Sequence, residues 1–202
     1  MKTKTRPRTG RPRAFDPDHA LDRALAVFWR QGYEGASLPD LTKAMGINRP
    51  SLYAAFGNKE ALFRKALERY ETGPAAYIHD VIAKPTARAV VEGLLNGAVD
   101  LLTKPGNPRG CLMVQGVLAC SRGADALRRK VASRREVGVA AIRRRLQHAI
   151  AEGDLPSDAD AASLARLVAS VMHGLAVEAA SGASQKELRR VTETFLRTWP
   201  SR

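Results

Sequence analysis

The sequence predicts an all-α protein, in which a small N-terminal unit of three short helices precedes a larger helical domain. Apolar residues recur at helical spacing nearly throughout, and no segment alternates with period two for long enough to make a convincing strand. Glycine and proline cluster at a few points only, where they divide the chain into helices. The 202 residues suffice for a small domain fused to a larger one, with ample length to bury a core.

The elements follow in order. Residues 1–14, MKTKTRPRTGRPRA, hold six cations and no acid, and with two prolines and a glycine they predict a flexible, extended basic arm. Asp16 as cap, Pro17 at the first position and Asp18 in the first turn open a helix carrying Leu21, Ala24, Leu25 and Phe28, ended by Gly32. SLPD at 37–40 has the form of a capping box with Asp in place of Glu or Gln. Leu38, Leu41 and Met45 supply the apolar face of that second helix, and Gly46 closes it. Asn48 caps a third helix, with Arg49 and Pro50 in its first turn and Leu52 and Phe56 facing inward. A fourth starts after Gly57-Asn58 and runs to Gly73-Pro74.

Beyond residue 74 the breaks are KPT (84–86), KPGNPRG (104–110), EGDLPSD (152–158) and SGAS (181–184). They delimit helices at 86–103, 110–121, 124–152, 158–180 and 184–199. The helix at 158–180 places Leu164, Leu167, Val168, Val171, Met172 and Leu175 on one stripe, and the last groups Leu188, Val191, Phe195, Leu196 and Trp199. Arg88, Glu92, Asn96 and Asp100 recur at i+4 steps and read as the solvent edge of helix 86–103.

Charge narrows the function classes. Against 20 acids stand 33 Lys and Arg, a net of +13, which attracts polyanions such as nucleic acid or an anionic membrane. No stretch of about 20 uninterrupted apolar residues predicts a membrane span, and the N-terminus lacks a signal peptide's apolar run. A soluble, cytoplasmic protein is expected. Cys111 and Cys120, nine residues apart on one helix, would lie about 13 Å apart on opposite faces, too far to pair. Cys and His do not fall at zinc-ligand spacing, so no metal or other cofactor is expected.

Three short helices with a Gly-centred turn between the second and third form a helix-turn-helix plan, in which the third lies in the DNA major groove. Asn48-Arg49-Pro50-Ser51 suits that place. A helix N-terminus directs free N–H groups at phosphate, Arg49 can donate twice to guanine O6 and N7, and Pro50 or Ser51 can meet a thymine methyl.

Ser37 through Phe63 resembles the DNA-binding segment of the TetR family of bacterial transcriptional regulators. The shared features are the hydroxyl opening helix two, Met45-Gly46-Ile47, Ser51-Leu52-Tyr53, Phe56, and Asn58-Lys59-Glu60 with Leu62-Phe63. Pro50 and Ala54-Ala55 depart from the commonest pattern and bear on the operator sequence. The resemblance implies that Ser37, Tyr53 and Lys59 hold phosphates, while Thr42, Arg49, Pro50 and Ser51 lie at or near the bases. Thr9-Gly10-Arg11-Pro12-Arg13 is similar to a minor-groove hook, which would place Arg11 and Arg13 on DNA. Residues 15–70 would thus be the DNA-binding domain. Residues 71–202 would serve effector binding and dimerisation, with helices 158–180 and 184–199 forming a homodimer's bundle.

The resemblance also implies a small-molecule effector pocket among the middle helices, whose occupation re-angles the helix from 58 and releases a repressor from a palindromic operator. Candidate lining residues are Cys111, Met113, Gln115, Met172 and His173, although residues of these types are more often plain core. CLMVQGVLAC is apolar nearly all round, so Gln115 would be a buried amide in need of partners. Cys111, at a helix start beside Arg109, would have a depressed thiol pKa and could sense oxidants or electrophiles; a buried structural cysteine is the other reading. Segment 122–145, with nine cations and two acids, reads as a solvated face, an anion site or an auxiliary DNA contact. The alternative function is a sequence-tolerant architectural DNA-binding protein without an effector. Scattered histidines and the absence of nucleophile motifs and phosphate loops speak against an enzyme.

Overall fold

The computed structural model describes residues 15–116 and 124–200; the basic arm with Arg11 and Arg13, and Cys120, lie outside them. Among the described residues the chain forms ten α-helices and no strand. Helix α1 (Pro17–Gly35) is capped by Asp16, whose carboxylate accepts from the N–H groups of Asp18 and His19. Gly32 leaves helical geometry, so the predicted end there is a kink followed by one further turn. In α2 (Leu38–Met45) the capping box forms with Asp40 as its acid. Gly46 then adopts a left-handed conformation at φ 69°, ψ 28°, which a side chain would oppose, and so turns the chain sharply into α3 (Arg49–Phe56). Asn58 caps α4 (Lys59–Thr72) by accepting from the Ala61 N–H at 2.8 Å.

The remaining helices are α5 (Tyr77–Ile82), α6 (Ala87–Thr103), α7 (Leu112–Gln115), α8 (Asp125–Ala151), α9 (Ala161–Ala180) and α10 (Gln185–Arg197). Helix α5 lies so close on α6 that a Cβ on Gly97 would stand 2.3 Å from the Tyr77 ring. Only glycine leaves room for that contact.

Buried apolar residues form two clusters. One gathers Ala24, Phe28, Leu41, Leu52, Leu62 and Phe63 from α1 to α4, with Phe28 and Phe63 edge to face at 5.0 Å. It does not close at residue 70, because Leu112, Leu127 and Val131 also belong to it. The other unites α6, the C-terminal part of α8, α9 and α10.

Four expectations change. The helix predicted at 110–121 is, among the described residues, a single turn ending at Gln115. The Gly116 carbonyl just after it accepts from the Tyr33 N–H at 2.8 Å, and residues 117–121 of the predicted helix lie outside the described residues. In α10 the inward face is rotated: Thr192 is buried beside Leu188 and Leu196, whereas Val191 is 48% exposed. In α9 the core side consists of Ala161, Ala165, Val168, Ala169, Leu175, Ala176 and Ala179, so Val168 and Leu175 of the predicted stripe are covered while Leu167 is 49% exposed. The α6 stripe is not a free edge, since Arg189 of α10 donates to Asn96 and Asp100 and Arg88 donates to the Leu196 carbonyl. Sequence spacing fixes which residues share a face; the neighbouring helix decides which face is covered.

Helix α9, at 20 residues, also has the length and hydropathy of a membrane span. Its alanine side packs into the second cluster, and Arg166 on its outer side grips Glu136 of α8 with two hydrogen bonds of 2.7 Å.

Candidate functional site

The α2–α3 pair presents one solvent-facing end. Asn48, in extended conformation, accepts from the Ser51 N–H through its side-chain oxygen at 2.9 Å. This fixes the first turn of α3 and leaves the amide nitrogen of Asn48 outward. Arg49 and Pro50 are exposed in that turn and Ser51 is half-buried. Arg49 makes no hydrogen bond or ion pair with any described residue, so its guanidinium keeps all its donors for another molecule. Leu52 and Phe56, buried on the opposite side, set the rotation of the helix.

Around this end lie the other residues singled out in the sequence. Tyr53 is 48% exposed. The Ser37 hydroxyl donates to Asp40 at 2.6 Å, so it is held at the start of α2. Thr42 is half-buried and donates to the Leu38 carbonyl at 2.9 Å, which turns its methyl away from its own helix backbone. The Lys59 ammonium stands 4.6 Å above the Tyr33 ring and donates to the Glu34 carbonyl at 3.4 Å. The ring thereby steadies a lysine at the N-terminus of α4, where the helix dipole also favours an anion.

The candidates in the C-terminal helices are only partly brought together. Cys111 touches both apolar clusters, Met113 packs on the first and Met172 on the second. Gln115 is half-buried rather than fully buried as the apolar run predicts, with its amide folded against Gly110. His173 is half-buried, and its pKa is lowered by burial and then by Arg135 and Arg166. The predicted activated thiol is not found: burial pushes the Cys111 pKa up. Arg109 is turned away to donate to the Ala183 carbonyl, and α7 is too short to carry a strong dipole. The phenol of Tyr70 donates to Cys111 Sγ at 3.3 Å.

Sequence reasoning missed Tyr70, Tyr77 and Arg135 here. Arg135 had a signal: it stands four residues from both Val131 and Val139 on the inward stripe of α8. Segment 122–145 is likewise more than a solvated face. Arg134 bridges to Glu68 at 3.0 Å and also to Glu71, tying α8 to α4, and Arg145 donates to the carbonyls of Lys84 and Pro85. A cleft of about 430 Å³ between α1, the end of α4 and the 104–108 loop is floored by Trp29 and the Asp22–Arg69 pair. Among the described residues no group of three or more His, Cys, Asp or Glu could hold a metal ion.

Residues 20–66 match the family described as bacterial regulatory proteins, tetR family, and residues 85–195 match the tetracyclin repressor-like C-terminal domain. The chain is 34% identical over 194 residues to the HTH-type transcriptional repressor ComR of Escherichia coli K12, covering 95% of this chain and 92% of that one. It is 36% identical over 120 residues to the repressor BdcR of the same organism, covering 58% and 60%. A cysteine-substituted form of the TetR family regulator CifR, solved in complex with 26-base-pair double-strand operator DNA, superposes with a TM-score of 0.91 at 46% identity, covering 94% of this chain and all of that one. With both domains matched in order, the chain belongs to the TetR family of bacterial transcriptional regulators.

Proposed function

We propose that the protein is a repressor that binds a palindromic operator as a homodimer and is released by a small-molecule effector. The observation that carries this reading is the exposed Arg49, without a partner among the described residues, in an Asn48-capped first turn of α3. Arg49, Pro50, Ser51 and Thr42 would meet base edges, with Ser37, Tyr53, Lys59 and the Asn48 amide on the backbone. Arg11 and Arg13 would enter the adjacent minor groove. The complex formed by CifR supports operator binding by a chain of this shape.

The dimer reading rests on α9 and α10. Helix α9 is apolar nearly all round, yet Leu167 and Val177 are about half exposed, as is Val191 of α10. A second copy would cover these positions as a four-helix bundle. Small residues at Ser170 and Gly174 between them would let the partner approach closely. Effector binding near Cys111, Met113, Gln115, Met172 and His173 would shift α8, and Arg134 would pass that shift to α4 through Glu68 and Glu71.

Selection of bound sites from a random DNA pool, followed by sedimentation of the protein on the selected duplex, tests the proposal. The expected result is an inverted repeat occupied by two chains per half-site pair. Uniform enrichment of unrelated sequences would instead favour a sequence-tolerant architectural protein.

A further inference from the structure

Helix α8 crosses both apolar clusters. Leu127 and Val131 belong to the cluster of the DNA-reading helices, whereas Val139, Ile142, Leu146 and Ala149 belong to the C-terminal one. These residues form one stripe, and Arg135 stands on it at the seam, four residues from a buried valine on either side. A guanidinium there carries five donors. Among the described residues it has no hydrogen bond or ion pair, although the adjacent Arg134 is paired with both Glu68 and Glu71. The nearest acid along the helix, Glu136, is occupied on both oxygens by Arg166.

The surroundings are apolar and short of negative charge. Cys111 spans both clusters at the seam, and Arg135 lies near enough to influence its thiol as well as the His173 imidazole. The Tyr70 hydroxyl is spent on Cys111 and that of Tyr77 on the Leu94 carbonyl. Arg135 is half-buried, and a cation whose covered side finds no acceptor lowers stability unless something anionic joins it.

We infer that the seam takes a small organic anion, a carboxylate on an apolar body, with Arg135 as the charge anchor and the Cys111 region receiving the apolar part. A planar guanidinium matches a carboxylate with two parallel hydrogen bonds. Because the seam separates the DNA-reading cluster from the C-terminal one, a ligand inserted there parts them. The inference rests on the effector reading and names its chemical class.

The test measures binding of octanoate and 4-phenylbutyrate, and of their methyl esters, to the full-length protein by calorimetry, with release of a fluorescent operator duplex followed in parallel. The acids should bind about tenfold or more tightly than the esters. Arg135→Met should abolish that preference, Arg135→Lys should keep part of it, and operator affinity without ligand should stay within about twofold. The melting temperature of ligand-free Arg135→Met should equal or exceed that of the wild type, since an unpaired cation leaves an apolar stripe. Equal affinity of acids and esters overturns the inference, as does failure of both acids to bind at about 10 mM. So does a lower melting temperature in Arg135→Met, which would make the cation structural. Arg135-dependent binding without DNA release keeps the site and sinks the effector reading; release by esters alone does the reverse.

Discussion

The indole N–H of Trp29 donates to the main-chain carbonyl of Gly110 at 2.8 Å, buried and across 81 positions of sequence. The same indole meets the Tyr70 ring edge to face at 4.8 Å, and Tyr70 in turn reaches Cys111. Helices α1 and α4 are thus fastened to the segment that leads into α7. Trp29→Phe retains most of the apolar volume but leaves a buried carbonyl without its donor. It should cost about 1–3 kcal/mol of unfolding free energy in urea denaturation. A change below about 0.5 kcal/mol, the usual range for an uninvolved surface position, would show that the contact holds nothing together.

Arg49→Ala should lose about 1–3 kcal/mol of affinity for the selected operator and relax preference at one base position per half-site. Equal loss on every DNA sequence would mean that Arg49 meets only phosphate. Lys59→Ala should weaken binding on all sequences and lower the salt slope by about 1, read from affinity titrations at several ionic strengths.

Gly97→Ala drives a methyl into the Tyr77 ring. Overpacking of this kind should destabilise by about 1–3 kcal/mol in thermal or chemical denaturation. Pairing it with Tyr77→Ala should be much less damaging than the sum of the two single changes, because one substitution makes room for the other. Additive losses would disprove the contact.

His173 has a folded-state pKa below the ordinary 6.5, through burial and then the neighbouring Arg135 and Arg166. Between its folded and unfolded values the unfolded chain binds more protons, so stability rises with pH there. The protein should therefore lose stability as pH falls from about 7.5 through the ordinary histidine value toward the lowered one. His173→Gln should flatten that part of the profile, measured as unfolding free energy across the range. An unchanged slope would place the titration elsewhere.

Because burial raises the Cys111 pKa, its thiolate is scarce at neutral pH. In a Cys120→Ser background, iodoacetamide should modify the folded protein about tenfold or more slowly than it modifies a free cysteine, with the rate climbing as pH rises past 9. Rapid alkylation at neutral pH would restore the activated thiol that sequence position alone suggests.

The features read correctly in advance are those whose physics is local. Ser37 with Asp40 and Asn48 with Ser51 are caps within three residues, and Gly46 is a turn within one. Such interactions need no distant partner, so the α2–α3 end, with Arg49 outward, was legible along the chain. The α6 stripe was misread because Arg189 lies 93 positions from its partner Asn96. The main-chain hydrogen bond from Tyr33 to Gly116 is likewise beyond any local pattern, because the two residues lie far apart in the chain.

Sequence alone therefore determined most of the helices, the caps of α1 to α3, the family and the exposed first turn of α3, because helix periodicity and capping act within a few residues. Tertiary structure alone decided which side of α9 and α10 is covered, that Cys111 is buried with Tyr70 rather than activated by Arg109, and that Arg135 stands between two clusters with no partner among the described residues. Each of these depends on which helices become neighbours, and so on contacts between residues far apart in the chain.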